Sequence, residues 1–255
     1  MCLILAAWKT HPDYPLIVAA NRDEHFDRST AAAQWWSDAP DLLAGQDLLA
    51  GGTWLGMSRS GRFAALTNYR DPRQRRADAP SRGLLVRDAL LSSESTPAVL
   101  EQVSADSAAY AAFNLLVSDG RTLGIHESAS GATRILPPGI HGLSNHLLGT
   151  PWPKLQLARE RFALALDHPT RREAFVELLR DSTPANDDTL PDTGIGIEWE
   201  RQLSSVFVRA PGYGTRSSTL VRVSTDDAVD FTEWTWNQDG ELAGEVHHCF
   251  RIKRA

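Results

Sequence analysis

A cysteine directly after the initiator methionine has a position suited to nucleophilic catalysis. Removal of Met1 would leave Cys2 with a thiol and a free α-amine, and the amine can act as a base toward the thiol. The reference pKa values are about 8 for the amine and about 8.5 for the thiol, so modest positive charge nearby yields thiolate. The alternative is a small hydrophobic residue that begins a buried strand, because free cysteine is often buried.

Four polar residues, Asn21-Arg22-Asp23-Glu24, follow the second apolar run of the chain. We expect them to leave the sheet immediately after the second strand, beside Cys2. Arg22 could hold a thiolate or bind an anion in fork geometry, and Asp23 could orient an α-ammonium group. Asn21 and Glu24 could set the rotamers of these two side chains. The alternative is a solvated turn, since charge runs at strand ends usually contact water.

Two further clusters contain residues that could bind a ligand, and the sequence does not decide whether they do. Arg70, Arg73, Arg75 and Arg76 form a basic run that could bind a phosphate or carboxylate, although such runs are more often solvated loops. His247 and Cys249 point the same way on the last predicted strand, because side chains alternate with a period of two. Two such ligands are too few to argue a metal site, so we predict none.

The elements that position these residues follow from apolar periodicity and turn residues. Strands are predicted at residues 2–8, 16–20, 51–58, 62–68, 112–117, 121–126, 133–136, 140–143, 206–208, 218–223, 229–236 and 242–252. Helices are predicted at 82–91, 95–103, 154–166 and 172–179, and a loop at 181–196. The order of strands, helix pair, strands, helix pair and strands favours an α+β fold with four αββα layers.

Composition restricts the class of protein. The chain has 255 residues, 42% hydrophobic and 23% charged, which predicts a globular protein with one domain over residues 1–255. A formal net charge of -6 argues against a nucleic-acid partner. Two cysteines give no disulfide framework, and the apolar N-terminal run is broken by Lys9 and Pro12. We therefore predict a cytoplasmic protein without a signal peptide or membrane span.

Several segments together resemble the NRDE family, which includes transport and Golgi organisation protein 2. The segments are the MCLI start, Asn21 to Glu24, Gly52-Thr53-Trp54-Leu55-Gly56, Ala65-Leu66-Thr67-Asn68-Tyr69-Arg70, Gly142-Leu143-Ser144-Asn145, Pro151-Trp152-Pro153-Lys154 and Gly214-Thr215-Arg216-Ser217-Ser218-Thr219. They occur in the expected order and span nearly the whole chain. Their joint occurrence is highly specific, whereas any one segment alone is not.

The NRDE family in turn looks similar to the choloylglycine hydrolase and penicillin V acylase group of N-terminal-nucleophile (Ntn) hydrolases. That resemblance implies an αββα fold with Cys2 as nucleophile and Asp23 positioning its amine. It further implies that Asn68 and Asn145 support the oxyanion and substrate, and that Arg216 lies beside the thiol. Arg22 matches approximately, because the enzymes space their arginine and aspartate differently. Asn68 and Asn145 could equally be turn residues at strand ends.

Two hypotheses about function remain open from the sequence. The first is implied by the family resemblance: the chain binds and handles a small hydrophobic or anionic ligand. Its role would be haem trafficking, or the handling of acyl-coenzyme A and lipids. Asn21 to Glu24 and Arg70 would then bind the ligand, and haem would be a bound ligand, not a required cofactor. In the second, the chain is an amidohydrolase that cleaves a linear amide or acyl bond through Cys2. The sequence does not specify an oligomeric state.

Overall fold

The computed structural model describes residues 2–74 and 78–253. Its strands are β1 (Cys2–Trp8), β2 (Leu16–His25), β3 (Thr30–Trp35), β4 (Leu42–Asp47), β5 (Leu55–Ser58), β6 (Phe63–Asn68), β7 (Phe113–Ser118), β8 (Leu123–Glu127), β9 (Ala132–Ile135), β10 (Gly139–Leu143), β11 (Arg209–Ala210), β12 (Tyr213–Val223), β13 (Ala228–Trp236) and β14 (Leu242–Arg251). Its α-helices are α1 (Gly83–Leu91), α2 (Thr96–Asp106), α3 (Pro153–Ala165), α4 (Arg172–Leu179) and α5 (Ile197–Gln202).

The strands form two antiparallel sheets of seven strands each. The first sheet has the order β10-β1-β2-β12-β13-β14, with β11 paired to β12, and the second is a meander from β3 to β9. Helices α1 and α2 pack on the second sheet, whereas α3 and α4 pack on the first. The predicted α+β fold with four αββα layers is confirmed.

Each sheet buries both faces, which explains why its central strands are continuously apolar. In β1, Ile4 and Ala6 lie on the inner face, which packs against the other sheet, while Leu3 and Leu5 lie on the outer face under the helices. Alternation along each strand therefore decides whether a side chain meets the other sheet or the helices.

The predicted end of β2 is wrong. The strand continues to His25, so the four polar residues from Asn21 to Glu24 lie inside the first sheet, paired to β1 on one side and β12 on the other. Asn21, Arg22 and Asp23 are buried, and the solvated-turn alternative is also wrong. Polar residues often occur where a strand ends, but these buried side chains form hydrogen bonds and ion pairs within the fold.

Most other predicted elements are confirmed, including all four helices and the hairpins that join β5 to β6, β7 to β8 and β13 to β14. The sequence pattern missed β3, β4 and α5, and residues 206–208 are not a strand. β9 and β10, predicted on either side of a proline-rich turn, belong to different sheets. Local patterns carry little information about partners that are distant in sequence, which explains these errors.

No helix within the described residues is both long and apolar enough to cross a membrane. The assignment of the whole chain to one domain and to the cytoplasm stays a prediction.

Candidate ligand-binding and nucleophile cleft

Cys2 lies in the wall of a cleft of about 550 Å³ between the two sheets. We call it the Cys2 cleft. Its charged lining residues are Arg22, Asp23, Glu24, Arg28, Asp47, Arg82, Arg216 and Glu233, and its apolar lining includes Trp54 and Leu66. The lining comes from both sheets and from the segment that leads into α1, so the cleft exists only when these layers are assembled.

The position of Cys2 is fixed by its backbone. Cys2 is the first residue of β1 and pairs with Arg22 of β2. Its N–H donates to Asn145 Oδ1 at 3.3 Å, and its carbonyl oxygen accepts from the Ser144 hydroxyl at 3.4 Å. Burial raises the pKa of the Cys2 thiol, Asp23 raises it further and Arg22 opposes the change. The thiol is therefore protonated at neutral pH in the resting protein.

The two asparagines predicted to support an oxyanion form one hydrogen-bonded unit. Asn145 is fully buried, and its Nδ2 donates to the Asn68 carbonyl oxygen at 2.9 Å. Asn68 lines the Cys2 cleft at the end of β6. Asn145 thus links β1 to β6, and in this structure its amide donor is directed at Asn68. Of the two asparagines, Asn68 is the one that lines the cleft.

Asp23 is held by β12 on the outer side of Cys2. Its Oδ1 accepts from the Thr215 hydroxyl at 2.7 Å, and its carbonyl oxygen accepts from Tyr213 Oη at 3.0 Å. Burial raises the pKa of Asp23, while the nearby Lys154 ammonium lowers it. Asp23 and Lys154 are therefore two buried, oppositely charged groups that interact with each other near the start of β1.

Two arginines line the cleft without an ion pair to any carboxylate among the described residues. Arg216 donates to the His25 and Arg28 carbonyl oxygens at 2.7 and 3.1 Å. Arg82 donates to the Ala112 carbonyl oxygen at 3.1 Å, and burial lowers the pKa of its guanidinium. Of the other two cleft arginines, Arg22 is 3.6 Å from Glu24 and Arg28 is 2.6 Å from Asp47. Arg82 and Arg216 are therefore the two of the four cleft arginines that form no ion pair within the described residues.

Three residues of this region carried no clear signal in the sequence. Glu233 on β13 lines the cleft, its Oε1 accepts from the Ala33 N–H at 2.8 Å, and burial raises its pKa to about 7. Lys154 is buried near Asp23 and burial lowers its pKa to about 8. Arg82 is the third. Lys154 stands in a segment used for the family resemblance, so that segment could have pointed to it; Glu233 and Arg82 lie in no such segment.

Two predicted ligand-binding residues lie away from the cleft lining. The Asn21 side chain is on the outer face, where Nδ2 donates to the Leu179 and Val206 carbonyl oxygens at 2.8 and 2.9 Å. Its Oδ1 accepts from the Ser218 hydroxyl at 2.6 Å. Arg70 forms a buried ion pair with Glu200, 2.6 Å between Nη1 and Oε2. Both side chains bond to other parts of the fold, and the ligand contacts predicted for them stay a prediction.

The predicted basic loop is not a single solvated run. Arg70 is buried, whereas Arg73 is exposed and pairs with the adjacent Asp71 at 2.9 Å. Arg75 and Arg76 lie outside the described residues. The arginines of the cleft come instead from β2, the loop after β2, β12 and the residue before α1.

One wall of the cleft depends on a close approach of two glycines. A Cβ on Gly52 would lie 2.5 Å from the Gly83 carbonyl carbon, and one on Gly83 would lie 2.9 Å from the Thr53 carbonyl oxygen. The Thr53 N–H donates to the Gly83 carbonyl oxygen at 3.1 Å. This contact anchors the start of α1, and with it Arg82, beside the loop before β5.

Two solved structures are similar to the chain. An N-acylethanolamine-hydrolyzing acid amidase ortholog of Caenorhabditis elegans is 11% identical, covers 86% of this chain and 92% of its own, and has a TM-score of 0.47. The C2A mutant of the conjugated bile acid hydrolase from Clostridium perfringens is 12% identical, covers 100% and 98%, and has a TM-score of 0.46.

Sequence relatives are much closer. The Transport and Golgi organization protein 2 homolog of Bos taurus is 38% identical over 91% of this chain and 92% of that protein, and the Homo sapiens homolog is 36% identical over the same shares. The Drosophila melanogaster protein is 30% identical over 92% of each. The family model for Transport and Golgi organisation 2 matches residues 1–238. The chain belongs to the Transport and Golgi organisation 2 family, as the NRDE resemblance implied.

Proposed function

We propose that the chain binds a small anionic ligand with an apolar part in the Cys2 cleft. The observation that carries the proposal is the pair Arg82 and Arg216, which line the cleft without a carboxylate partner among the described residues. A guanidinium that retains unused donors in a partly dry cleft binds carboxylate or phosphate strongly, because both geometry and low dielectric favour the pair.

The dimensions and lining of the cleft suit such a ligand. Ligand pockets commonly enclose roughly 300 to 1,000 Å³, and this cleft encloses about 550 Å³. Trp54 and Leu66 add apolar surface beside the charged residues. Haem and acyl-coenzyme A both combine acidic groups with a large apolar part, so these two ligands of the first hypothesis are the ones we propose.

The test is a titration of the purified chain with haem, followed by absorbance, and with palmitoyl-coenzyme A, followed by calorimetry. We expect saturable binding of at least one of them, weakened about tenfold or more in Arg82→Gln and Arg216→Gln, since a lost charged hydrogen bond costs about 1.5 kcal/mol or more. Arg121→Gln is the matched control, because Arg121 is exposed on the turn between β7 and β8.

Absence of saturable binding of both ligands would contradict the proposal. Equal weakening in Arg121→Gln and in the two cleft variants would also contradict it, because the effect would then reflect net charge and not the cleft.

A second candidate function, amide hydrolysis through Cys2, is favoured by the contact between the Cys2 N–H and Asn145 Oδ1. After removal of Met1 the same oxygen would hold an α-amine beside the thiol, and the amine would take the thiol proton during attack on an amide carbonyl. The raised pKa of the thiol means that this base is needed.

Intact-mass measurement of the untagged protein, combined with assays on fatty-acyl amides, tests hydrolysis. We expect loss of the Met1 mass and an activity that disappears in Cys2→Ala but persists in Cys249→Ser. Retention of Met1, or full activity in Cys2→Ala, would reject hydrolysis and leave the ligand-binding proposal standing.

A further inference from the structure

Three side chains with metal-binding atoms meet on the outer face of the first sheet, away from the Cys2 cleft. Asp230 Oδ2 is 2.8 Å from His247 Nε2, His247 Nε2 is 3.3 Å from Cys249 Sγ, and Cys249 Sγ is 3.8 Å from Asp230 Oδ2. The sequence presents two of them on one strand, and the fold adds the third.

The strand register explains this meeting. Asp230 on β13 pairs directly with Cys249 on β14. His247 is two residues before Cys249, so both side chains project from the same face. Asp230 alternates with Phe231, which belongs to the core between the sheets, and therefore projects from the outer face as well. His247 and Cys249 are exposed and Asp230 is partly buried, so solvent reaches the three atoms.

The distances between the three atoms are close to those between the ligand atoms of an occupied metal site. Zinc binds sulfur at about 2.3 Å and nitrogen or oxygen at about 2.0 to 2.2 Å, so tetrahedral geometry places the ligand atoms roughly 3.3 to 3.6 Å from one another. The three observed separations lie between 2.8 and 3.8 Å. Shifts of about half an ångström in side chains of an exposed face would complete the geometry.

A neighbouring arginine orients the carboxylate. Arg222 Nη2 is 2.9 Å from Asp230 Oδ1, and Arg222 Nη1 donates to the Pro169 carbonyl oxygen at 2.8 Å. Arg222 is buried and fixed, so it holds Oδ1 and leaves Oδ2 directed at His247 and Cys249. Ligating carboxylates are commonly oriented by such hydrogen bonds. The positive charge of Arg222 lowers the affinity of the three atoms for a cation, but Arg222 leaves Oδ2 available to bind it.

We propose that Asp230, His247 and Cys249 form a binding site for a zinc-class divalent cation, with one coordination position open to solvent. Sulfur, imidazole nitrogen and a carboxylate oxygen are the donors that zinc accepts together, and three protein ligands leave a fourth position for water. On binding, the Cys249 thiol releases its proton to solvent and His247 binds as the neutral imidazole. The site does not depend on the Cys2 cleft or on its proposed ligand.

The test is titration of the full chain with Co²⁺, followed by thiolate-to-cobalt absorption, and competition by Zn²⁺. We expect one Co²⁺ per chain with an absorption band that requires sulfur, and affinity lowered tenfold or more in Cys249→Ser and in His247→Gln. His248→Gln and Cys2→Ser are matched controls. His248 is the neighbour on the same strand, and its Nε2 lies 3.1 Å from the Ala33 carbonyl oxygen instead.

Each result decides the proposal. Binding retained in both controls and lost in the two ligand variants supports the site. No saturable binding by the unmodified chain overturns it, and so does unchanged binding in Cys249→Ser or loss of the band in Cys2→Ser. Thermal unfolding of every variant in the presence of a chelator confirms that each one is folded, since His247 and Cys249 are exposed and contribute little to the core.

Discussion

Two carboxyl groups on β13, three residues apart, lie on opposite faces of the first sheet. Glu233 faces the cleft between the sheets, and burial raises its pKa to about 7. Asp230 faces outward; burial raises its pKa too, but hydrogen bonds from His247 and Arg222 outweigh it, and the pKa is lowered. The groups that surround each acid on its own face therefore shift the two pKa values in opposite directions.

The two cysteines also lie on opposite faces of the first sheet. Cys2 is buried in the cleft beside arginines, and Cys249 is exposed beside an imidazole and a carboxylate. Burial raises the pKa of both thiols, with Asp23 contributing at Cys2 and Asp230 at Cys249. The inner face is suited to an organic ligand that is removed from water, whereas the outer face is suited to a hydrated cation.

Gly52→Ala should produce the largest change, because the inner face depends on close backbone packing. The new Cβ would overlap the Gly83 backbone, and we expect the free energy of unfolding to fall by about 3 kcal/mol or more. Gly244→Ala on β14 is the control, since a Cβ there meets nothing within 4 Å. Urea unfolding measures both. A loss in Gly244→Ala as large as in Gly52→Ala would refute the difference between the two regions.

Asn21→Ala tests the assignment of this side chain to the outer face and not to the cleft. It removes a buried amide that bonds Leu179, Val206 and Ser218, and we expect a loss of about 3 kcal/mol in stability. Asn186→Ala, at an exposed loop position, should change stability by less than about 0.5 kcal/mol. Denaturant unfolding gives the result; full stability in Asn21→Ala would return this residue to the candidate ligand contacts.

Glu233→Gln should change how stability depends on pH. The pKa of Glu233 in the folded chain, about 7, is above the reference value of 4.5. The folded protein therefore retains a proton that the unfolded chain loses, and stability falls as pH rises from about 4.5 to about 7. We expect Glu233→Gln to be more stable than the unmodified chain at pH 8 by about 3 kcal/mol, and to lack this decline.

Unfolding at about pH 5 and at about pH 8 measures the effect of Glu233→Gln. Asp230→Asn, compared with the unmodified chain at about pH 5 and at about pH 3, provides the comparison with the outer face. The lowered pKa of Asp230 stabilises the folded chain at neutral pH, and that contribution is lost as the pH falls below the reference value of 3.8. Its size should be below about 1 kcal/mol because Asp230 is partly solvated. A pH dependence of the same sign in both variants would count against the division between faces.

Thiol modification should show the smallest effect, and it is measured as a difference between two reaction rates. Cys249 is exposed and Cys2 is buried, so a disulfide reagent should react in two phases with the fast one absent in Cys249→Ser. Zn²⁺ should slow the fast phase and leave the slow phase unchanged if the outer site binds metal. A fast phase that persists in Cys249→Ser would mean that the cleft thiol is accessible.

Local sequence patterns were sufficient for much of the architecture. Helices 82–91, 95–103, 154–166 and 172–179 were identified by apolar spacing, and Ser95 caps α2, with its side chain accepting from the Ala98 N–H at 3.4 Å. The pattern failed at β3 and β4, where small and polar residues carry weak strand signals. Pairing partners far along the chain, not propensity, make those segments strands.

The sequence by itself determined the family, the αββα order of elements and the presence of Cys2, Arg22, Asn68 and Arg216 around one cleft. Tertiary structure alone decided that β2 continues through Asn21 to Glu24, that Glu233 and Arg82 line the cleft, and that Asp230 joins His247 and Cys249. These facts depend on strand register and sheet packing. Both are set by contacts between distant residues, and alternation along a strand then sends each neighbouring side chain to the opposite face.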